Sequence, residues 1–115
     1  MARILLAEDD DQLRAFLGRG LRRAGHAVDA VADGEAALVQ AHDADYDLLV
    51  ADVVMPGIDG HELAARLRAE KADLSVLFMT GRADRFANGG EVVLEKPFTG
   101  EGLADHVLRA LGRSS

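Results

Sequence analysis

The 115-residue chain is predicted to form an α/β fold with a doubly wound parallel sheet of five strands. Two observations lead to this prediction. Short apolar segments of strand length alternate five times with segments that show helical periodicity. The third strand segment, residues 48–51, is apolar throughout, as is typical of a parallel strand buried on both faces. At this length we expect residues 1–115 to form one domain with a substantial core.

Composition excludes several classes of function. The formal net charge of −7 and the 4% aromatic content argue against a basic or base-stacking surface for nucleic acid. The absence of cysteine excludes disulfides and thiolate metal sites. No apolar run approaches the roughly 20 residues of a membrane span, and no secretion signal precedes Arg3. We therefore expect a cytoplasmic protein that binds neither nucleic acid nor membrane.

The first half of the chain contains three strands and two helices. Residues 3–7 form the first strand, and the acidic pair at 10–11 belongs to the start of the first helix, which Gly25 ends. Its predicted apolar face consists of Leu13, Phe16, Leu17, Leu21 and Ala24. Most of the opposite face is basic, with Arg14, Arg19, Arg22 and Arg23. Residues 26–32 suit a peripheral strand, and Asp33 can cap a short helix before the central strand.

The second half continues the alternation. After the central strand, the Pro-Gly pair at residues 56–57 and the Asp-Gly pair at residues 59–60 indicate a loop and a turn. Asp59 can cap the next helix. The inner face of that helix is predicted to be Leu63, Ala64 and Leu67. Buried strands follow at 75–80 and 92–94. The last helix, which Thr99 can cap, is predicted to pack through Leu103, Val107, Leu108 and Leu111.

Four of the five predicted strands have a polar residue at or just beyond their carboxyl end. Glu8 and Asp9 follow the first strand, Asp52 ends the third, Thr80 ends the fourth, and Lys96 follows the fifth. Right-handed crossovers bring these ends to one edge of a parallel sheet. Carboxylates suit Mg²⁺, whereas a lysine and a hydroxyl suit a tetrahedral oxyanion. This set makes Asp52 a candidate nucleophile for phosphoryl transfer.

Four motifs at compatible spacings resemble the receiver domain of two-component response regulators. They are the segments at 4–10, 47–60, 80–81 and 96–98, and the resemblance covers essentially the whole chain. Within that family the chain most resembles stand-alone receivers of the CpdR type. The resemblance implies the flavodoxin-like strand order 2-1-3-4-5.

The resemblance also implies a metal site and a phosphorylation site. Asp52 would accept a phosphoryl group from a histidine kinase or a histidine phosphotransfer protein. Asp9 and Asp52 would hold Mg²⁺ directly, the backbone carbonyl of Val54 would add a third ligand, and Glu8 would act mainly through water.

Two further residues complete the implied machinery. Lys96 would pair with a phosphoryl oxygen, and Thr80 would move toward the phosphoryl group. The expected output is a changed contact with a downstream protein target, either an adaptor contact or onward transfer in a phosphorelay. The chain would then be a switch, and not an enzyme that acts on an outside substrate.

Two departures from the family pattern stand out. Val93 occupies the position where receivers usually carry an aromatic residue that takes part in activation. The segment between Thr80 and Lys96 is also about six residues shorter than is usual in the family, and the Gly-rich cluster at 88–90 breaks helices. We therefore predict a short or degenerate helix at 82–90 and an altered output surface.

Three alternatives belong to other functional classes. A receiver that never takes phosphate could act as a docking module. The presence of Val93 leaves this alternative open, but the complete set of Asp9, Asp52, Thr80 and Lys96 argues against it. A haloacid dehalogenase-type phosphatase would favour an aspartate where Val54 stands. A flavodoxin-like cofactor binder would need a Gly- or Ser-rich phosphate loop, whereas residues 8–11 are all acidic and would repel phosphate.

Overall fold

The computed structural model describes residues 2–80, 92–95 and 100–112, and of residues 92–95, 100 and 101 it describes the backbone. Lys96, the cap at Thr99, the side chain of Val93 and the predicted short helix at 82–90 lie outside this description. In chain order the elements are β1 (Arg3–Ala7), α1 (Asp11–Arg23), β2 (Ala27–Val31), α2 (Gly34–Asp43), β3 (Leu48–Asp52), α3 (Gly60–Glu70), β4 (Ser75–Thr80), β5 (Val92–Glu95) and α4 (Gly100–Gly112).

The five strands form one parallel sheet in the order β2-β1-β3-β4-β5. This is the doubly wound order predicted above. The register aligns Leu5 of β1 with Asp29 of β2 and with Leu49 of β3. Every residue of β3 is buried, because β3 lies in the middle of the sheet with helices on both faces.

The core has two layers, one on each face of the sheet. Alternate strand residues point to opposite faces, so Ile4 and Leu6 pack on one side and Leu5 and Ala7 on the other. On the first face the sheet meets α1 and α4 through Leu17, Leu21, Leu103, Val107 and Ala110. On the second face it meets α2 and α3 through Ala37, Ala41, Leu63, Ala64 and Leu67. Full burial of each leucine contributes about 1.5–3 kcal/mol.

The apolar faces of α1 and α4 are narrower than predicted. Phe16 is 42% exposed, Leu108 is 64% exposed, and Ala24 is also exposed at the C-cap of α1, so all three were wrongly assigned to the core. Among the described side chains of α4 the buried positions are Leu103, Val107 and Ala110, which recur at i, i+4 and i+7 and form a single stripe. Leu108 follows Val107 directly, so the helix turns it about 100° away from that stripe.

Side-chain caps begin three of the helices, and two of them, Asp33 and Asp59, were predicted as caps. The carboxylates of Asp10, Asp33 and Asp59 accept hydrogen bonds from the backbone N–H three residues later, at 2.8–3.0 Å. Gly25 follows α1 with a φ of +99°, which favours glycine. The described helices have 10 to 13 residues, and within the described part of the chain none is long and apolar enough to cross a membrane.

His26 joins the start of β1 to the turn before β2. Its Nδ1 accepts a hydrogen bond from the backbone N–H of Ala2 at 3.0 Å. Partial burial of the imidazole is the main cause that lowers the pKa of His26 below its ordinary value of 6.5. The unfolded chain therefore binds this proton more readily than the folded chain does.

Acidification is accordingly expected to destabilise the fold through His26. The stability contributed by neutral His26 is fully present above pH 6.5 and is lost as the pH falls from there through the lower folded-state pKa. His26→Gln keeps an acceptor for Ala2 but does not titrate, so its melting temperature should fall less over this range than that of the wild type. Exposed His42 gives the matched control, His42→Gln. Equal pH dependence in the wild type and His26→Gln would contradict the assignment.

Candidate phosphorylation and metal site

Three carboxylates come together at the carboxyl ends of β1 and β3. Oxygen atoms of Glu8, Asp9 and Asp52 all lie within 4.8 Å of one another. The register pairs Ala7 with Ala51, so the residues that follow them occupy neighbouring positions on adjacent strands. Glu8 is 1% exposed and Asp52 is 7% exposed, whereas Asp9 is exposed. The cluster is therefore half enclosed and open to solvent on the side of Asp9.

The turn after β3 orients the carboxylate of Asp52. The backbone N–H of Val54 donates to Asp52 Oδ1 at 3.1 Å. The preceding N–H, that of Val53, continues the sheet ladder by donating to the Met79 carbonyl at 3.0 Å. Val54 itself is 72% exposed. Asp52 therefore belongs to a rigid strand, and the first turn of the loop holds one of its oxygens.

The acidic run at residues 8–11 divides into two pairs, as predicted. The Glu8 carboxylate accepts a hydrogen bond from the Asp10 N–H at 3.0 Å, which turns the chain out of β1. Glu8 and Asp9 contribute to the cluster. The carboxylate of Asp10 caps α1, and Asp11 is the first residue of that helix. The helix thus takes two of the four negative charges near its positive end.

Thr80 lies at the same edge of the sheet. Met79 is the register partner of Asp52, so Thr80 is one residue further along the neighbouring strand. Its side chain is buried, at 3% exposed. Val54 lies in the turn beside the cluster. The five predicted site residues that the structure describes therefore lie at one edge of the sheet, and the sixth, Lys96, lies outside the described residues.

The donor set of this cluster fits a hard divalent cation. Carboxylate and carbonyl oxygens are the ligands that Mg²⁺ prefers, and one or two carboxylates with water suffice for it. Three carboxylates within 4.8 Å repel one another, and a divalent cation would relieve that repulsion. Glu8, Asp9 and Asp52 could hold such an ion; the backbone carbonyl of Val54 is a further ligand that the resemblance to receivers implies.

The sequence missed the role of Gly60. The Asp59–Gly60 pair resembles a turn, yet Gly60 is the first residue of α3 and has no positive φ. A β-carbon on Gly60 would lie 3.0 Å from Val53 Cα and closer still to the Asp52 carbonyl oxygen. The Gly60 N–H also donates to the Val53 carbonyl at 2.9 Å. Gly60 therefore lets α3 begin directly against the backbone that carries Asp52.

The role of Arg14 was also missed. The sequence places it on the basic outer face of α1, but its side chain is only 23% exposed. Its Nη1 donates to the Glu8 carbonyl at 3.0 Å. The available signal was weak, since Arg14 lies three residues after Asp11, a spacing that favours an ion pair on a helix but indicates nothing about Glu8.

Comparison with known proteins identifies the family. The family model of the response regulator receiver domain matches residues 4–108. The chain belongs to the response regulator receiver family. The strand order, the acidic edge and the position of Thr80 described above are those expected for a receiver on the basis of the sequence motifs.

Individual relatives agree with this assignment. The response regulator receiver protein CpdR of Brucella abortus is 38% identical over 117 residues, which cover 96% of this chain and 98% of CpdR. The transcriptional regulatory protein TcrA of Mycobacterium tuberculosis is 44% identical over 96% of this chain, which spans only 46% of TcrA. The crystal structure of TrrA from Thermotoga maritima in complex with Mg²⁺-BeF is 30% identical, with a TM-score of 0.85, and covers 96% of this chain and 99% of TrrA.

Proposed function

We propose that this receiver is a switch operated by Mg²⁺-dependent phosphorylation of Asp52. A histidine kinase or a histidine phosphotransfer protein supplies the phosphoryl group, and a downstream protein target binds the changed surface. The observation that carries the proposal is the convergence of Glu8 and Asp9 on Asp52, within 4.8 Å. A docking module that never takes phosphate does not need this cluster of repelling carboxylates.

The chemistry assigned to the chain's own residues is a nucleophilic displacement. A carboxylate oxygen of Asp52 attacks the phosphorus, the bond from phosphorus to the donor nitrogen or oxygen breaks, and the electron pair leaves with the donor. The Val54 N–H, which already binds Asp52 Oδ1, keeps the carboxylate aligned during this attack. Thr80 donates its hydroxyl to a phosphoryl oxygen, and the ammonium of Lys96 pairs with another.

A bound Mg²⁺ would supply positive charge that offsets the repulsion between the carboxylates and the incoming phosphoryl group. Burial of Glu8 and Asp52 strengthens this requirement, because poorly solvated negative charges are costly without a counterion. Attack of water on the acyl phosphate returns Asp52 and releases inorganic phosphate. In this proposal the chain catalyses only its own phosphorylation and dephosphorylation, and it acts in the cytoplasm.

The test is the intact mass of the protein after incubation with Mg²⁺ and a small acyl phosphate, or with a histidine kinase. We expect one phosphoryl adduct on the wild type and on the control Asp73→Asn, which changes an exposed carboxylate. Asp52→Asn and Asp52→Ala should show no adduct, because the nucleophile is gone. An adduct of equal yield on the Asp52 variants, or no adduct on the wild type with either donor, would refute the proposal.

A further inference from the structure

The loop that carries Glu8 and Asp9 is bridged by one side chain of α1. The guanidinium of Arg14 donates through Nη1 to the Glu8 carbonyl at 3.0 Å and through Nη2 to the Asp11 carboxylate at 2.6 Å. Glu8 is the residue that follows β1, and Asp11 is the first residue of α1. Arg14 therefore connects the two ends of the short loop between this strand and this helix.

The two arms of the bridge differ in their surroundings. The Asp11 carboxylate is 86% exposed, whereas Glu8 is almost fully buried. An exposed ion pair adds little to global stability, so the contact with Asp11 serves mainly to hold the guanidinium in place. The contact with Glu8 is to a backbone oxygen, and it restrains the peptide that links Glu8 to Asp9. The position of both carboxylates depends on that peptide.

We propose that Arg14 is a positioning residue that holds the carboxylates of Glu8 and Asp9 in the arrangement that binds a divalent cation. This inference deepens the proposed function and rests on it, because the cation is the one required by Asp52. Arg14 does not bind the cation. It acts through the loop, and the planar guanidinium suits this role because its N–H groups point in fixed directions. Mutation of residues that orient metal ligands in this way commonly weakens metal binding by about 10–100-fold.

Charge and geometry make opposite predictions for the removal of Arg14. A cation beside a carboxylate cluster repels a metal ion, so loss of its charge alone would tighten Mg²⁺ binding. Loss of the bridge instead frees the loop, and binding must then also order it, so Mg²⁺ binding would weaken. A purely structural role would lower the melting temperature and leave the affinity of the folded protein unchanged. The sign of the change in affinity therefore separates the three explanations.

The experiment is a calorimetric titration with MgCl₂ at fixed ionic strength, well below the melting temperature of each variant. We expect Arg14→Gln to bind Mg²⁺ about tenfold more weakly than the wild type. Arg14→Lys keeps the charge but loses the two-armed bridge, and we expect about threefold weaker binding. Arg19→Gln removes an exposed cation from the same helix and should bind Mg²⁺ as the wild type does, or slightly more tightly.

If the wild type binds Mg²⁺ and both Arg14→Gln and Arg14→Lys bind it as tightly or more tightly, the inference is overturned. Failure of the wild type itself to bind Mg²⁺ would overturn the proposed function and the inference together, so the two failures are distinguishable. If Arg14→Gln does not fold, Arg14→Lys decides the question, because it retains the positive charge beside Asp11.

Discussion

Replacement of Gly60 by alanine is expected to lower the free energy of unfolding by about 3 kcal/mol, because the added methyl group has no room. Its carbon would lie 3.0 Å from Val53 Cα and 3.1 Å from the Asp52 carbonyl carbon. Both are backbone atoms at the end of β3, where the Val53 N–H donates to the Met79 carbonyl, so neither can move aside without disturbing the pairing of β3 with β4. The start of α3 would have to move away instead, and the hydrogen bond from Gly60 N–H to Val53 would weaken.

Urea denaturation of Gly60→Ala against the wild type measures this effect. Gly20→Ala is the matched control, since a β-carbon at Gly20 would lie 4.0 Å from Leu103 Cδ2, which is an ordinary contact. Gly20 is inside α1, where alanine is favoured over glycine by about 0.5–1 kcal/mol. We therefore expect changes of opposite sign. A Gly60→Ala variant within about 0.5 kcal/mol of the wild type would show that α3 is not tightly packed against Asp52.

The second large effect is expected from Asp9→Asn. Its effect on the free energy of unfolding should change from neutral or stabilising without Mg²⁺ to destabilising when Mg²⁺ is added. Without the metal, the variant should be as stable as the wild type or more stable, because one of three clustered negative charges is gone. Loss of a ligand should weaken Mg²⁺ binding at least about tenfold. At Mg²⁺ about 100 times above the wild-type dissociation constant, the wild type gains about 2.7 kcal/mol, and a tenfold weaker variant gains about 1.4 kcal/mol.

Thermal denaturation with and without MgCl₂ tests this prediction. Asp9 is the exposed member of the cluster, so its replacement by the isosteric asparagine leaves the packing of the core intact. Asp73→Asn, an exposed substitution in the turn between α3 and β4, should gain as much from Mg²⁺ as the wild type does. Equal stabilisation of Asp9→Asn and the wild type by Mg²⁺ would show that Asp9 is not a ligand of the metal.

The type and order of the described elements were predictable because the signals that define them are local. The β1 and β4 boundaries match the prediction at every residue, and the other described strands differ by at most one residue at either end. The caps at Asp33 and Asp59 were predictable for the same reason, since a cap involves residues only three positions apart. The exposure of Phe16 was not predictable, because helical periodicity defines a direction but not how far the neighbouring elements extend.

By itself the sequence determined that Glu8, Asp9, Asp52 and Thr80 would meet at one edge, because consecutive crossovers place all carboxyl ends of a parallel sheet together. The tertiary structure decided how closely they meet. The spacing within 4.8 Å depends on the register between β1 and β3, strands more than forty residues apart along the chain. The fit of Gly60 against the backbone of β3 likewise depends on packing between elements, which no local pattern encodes.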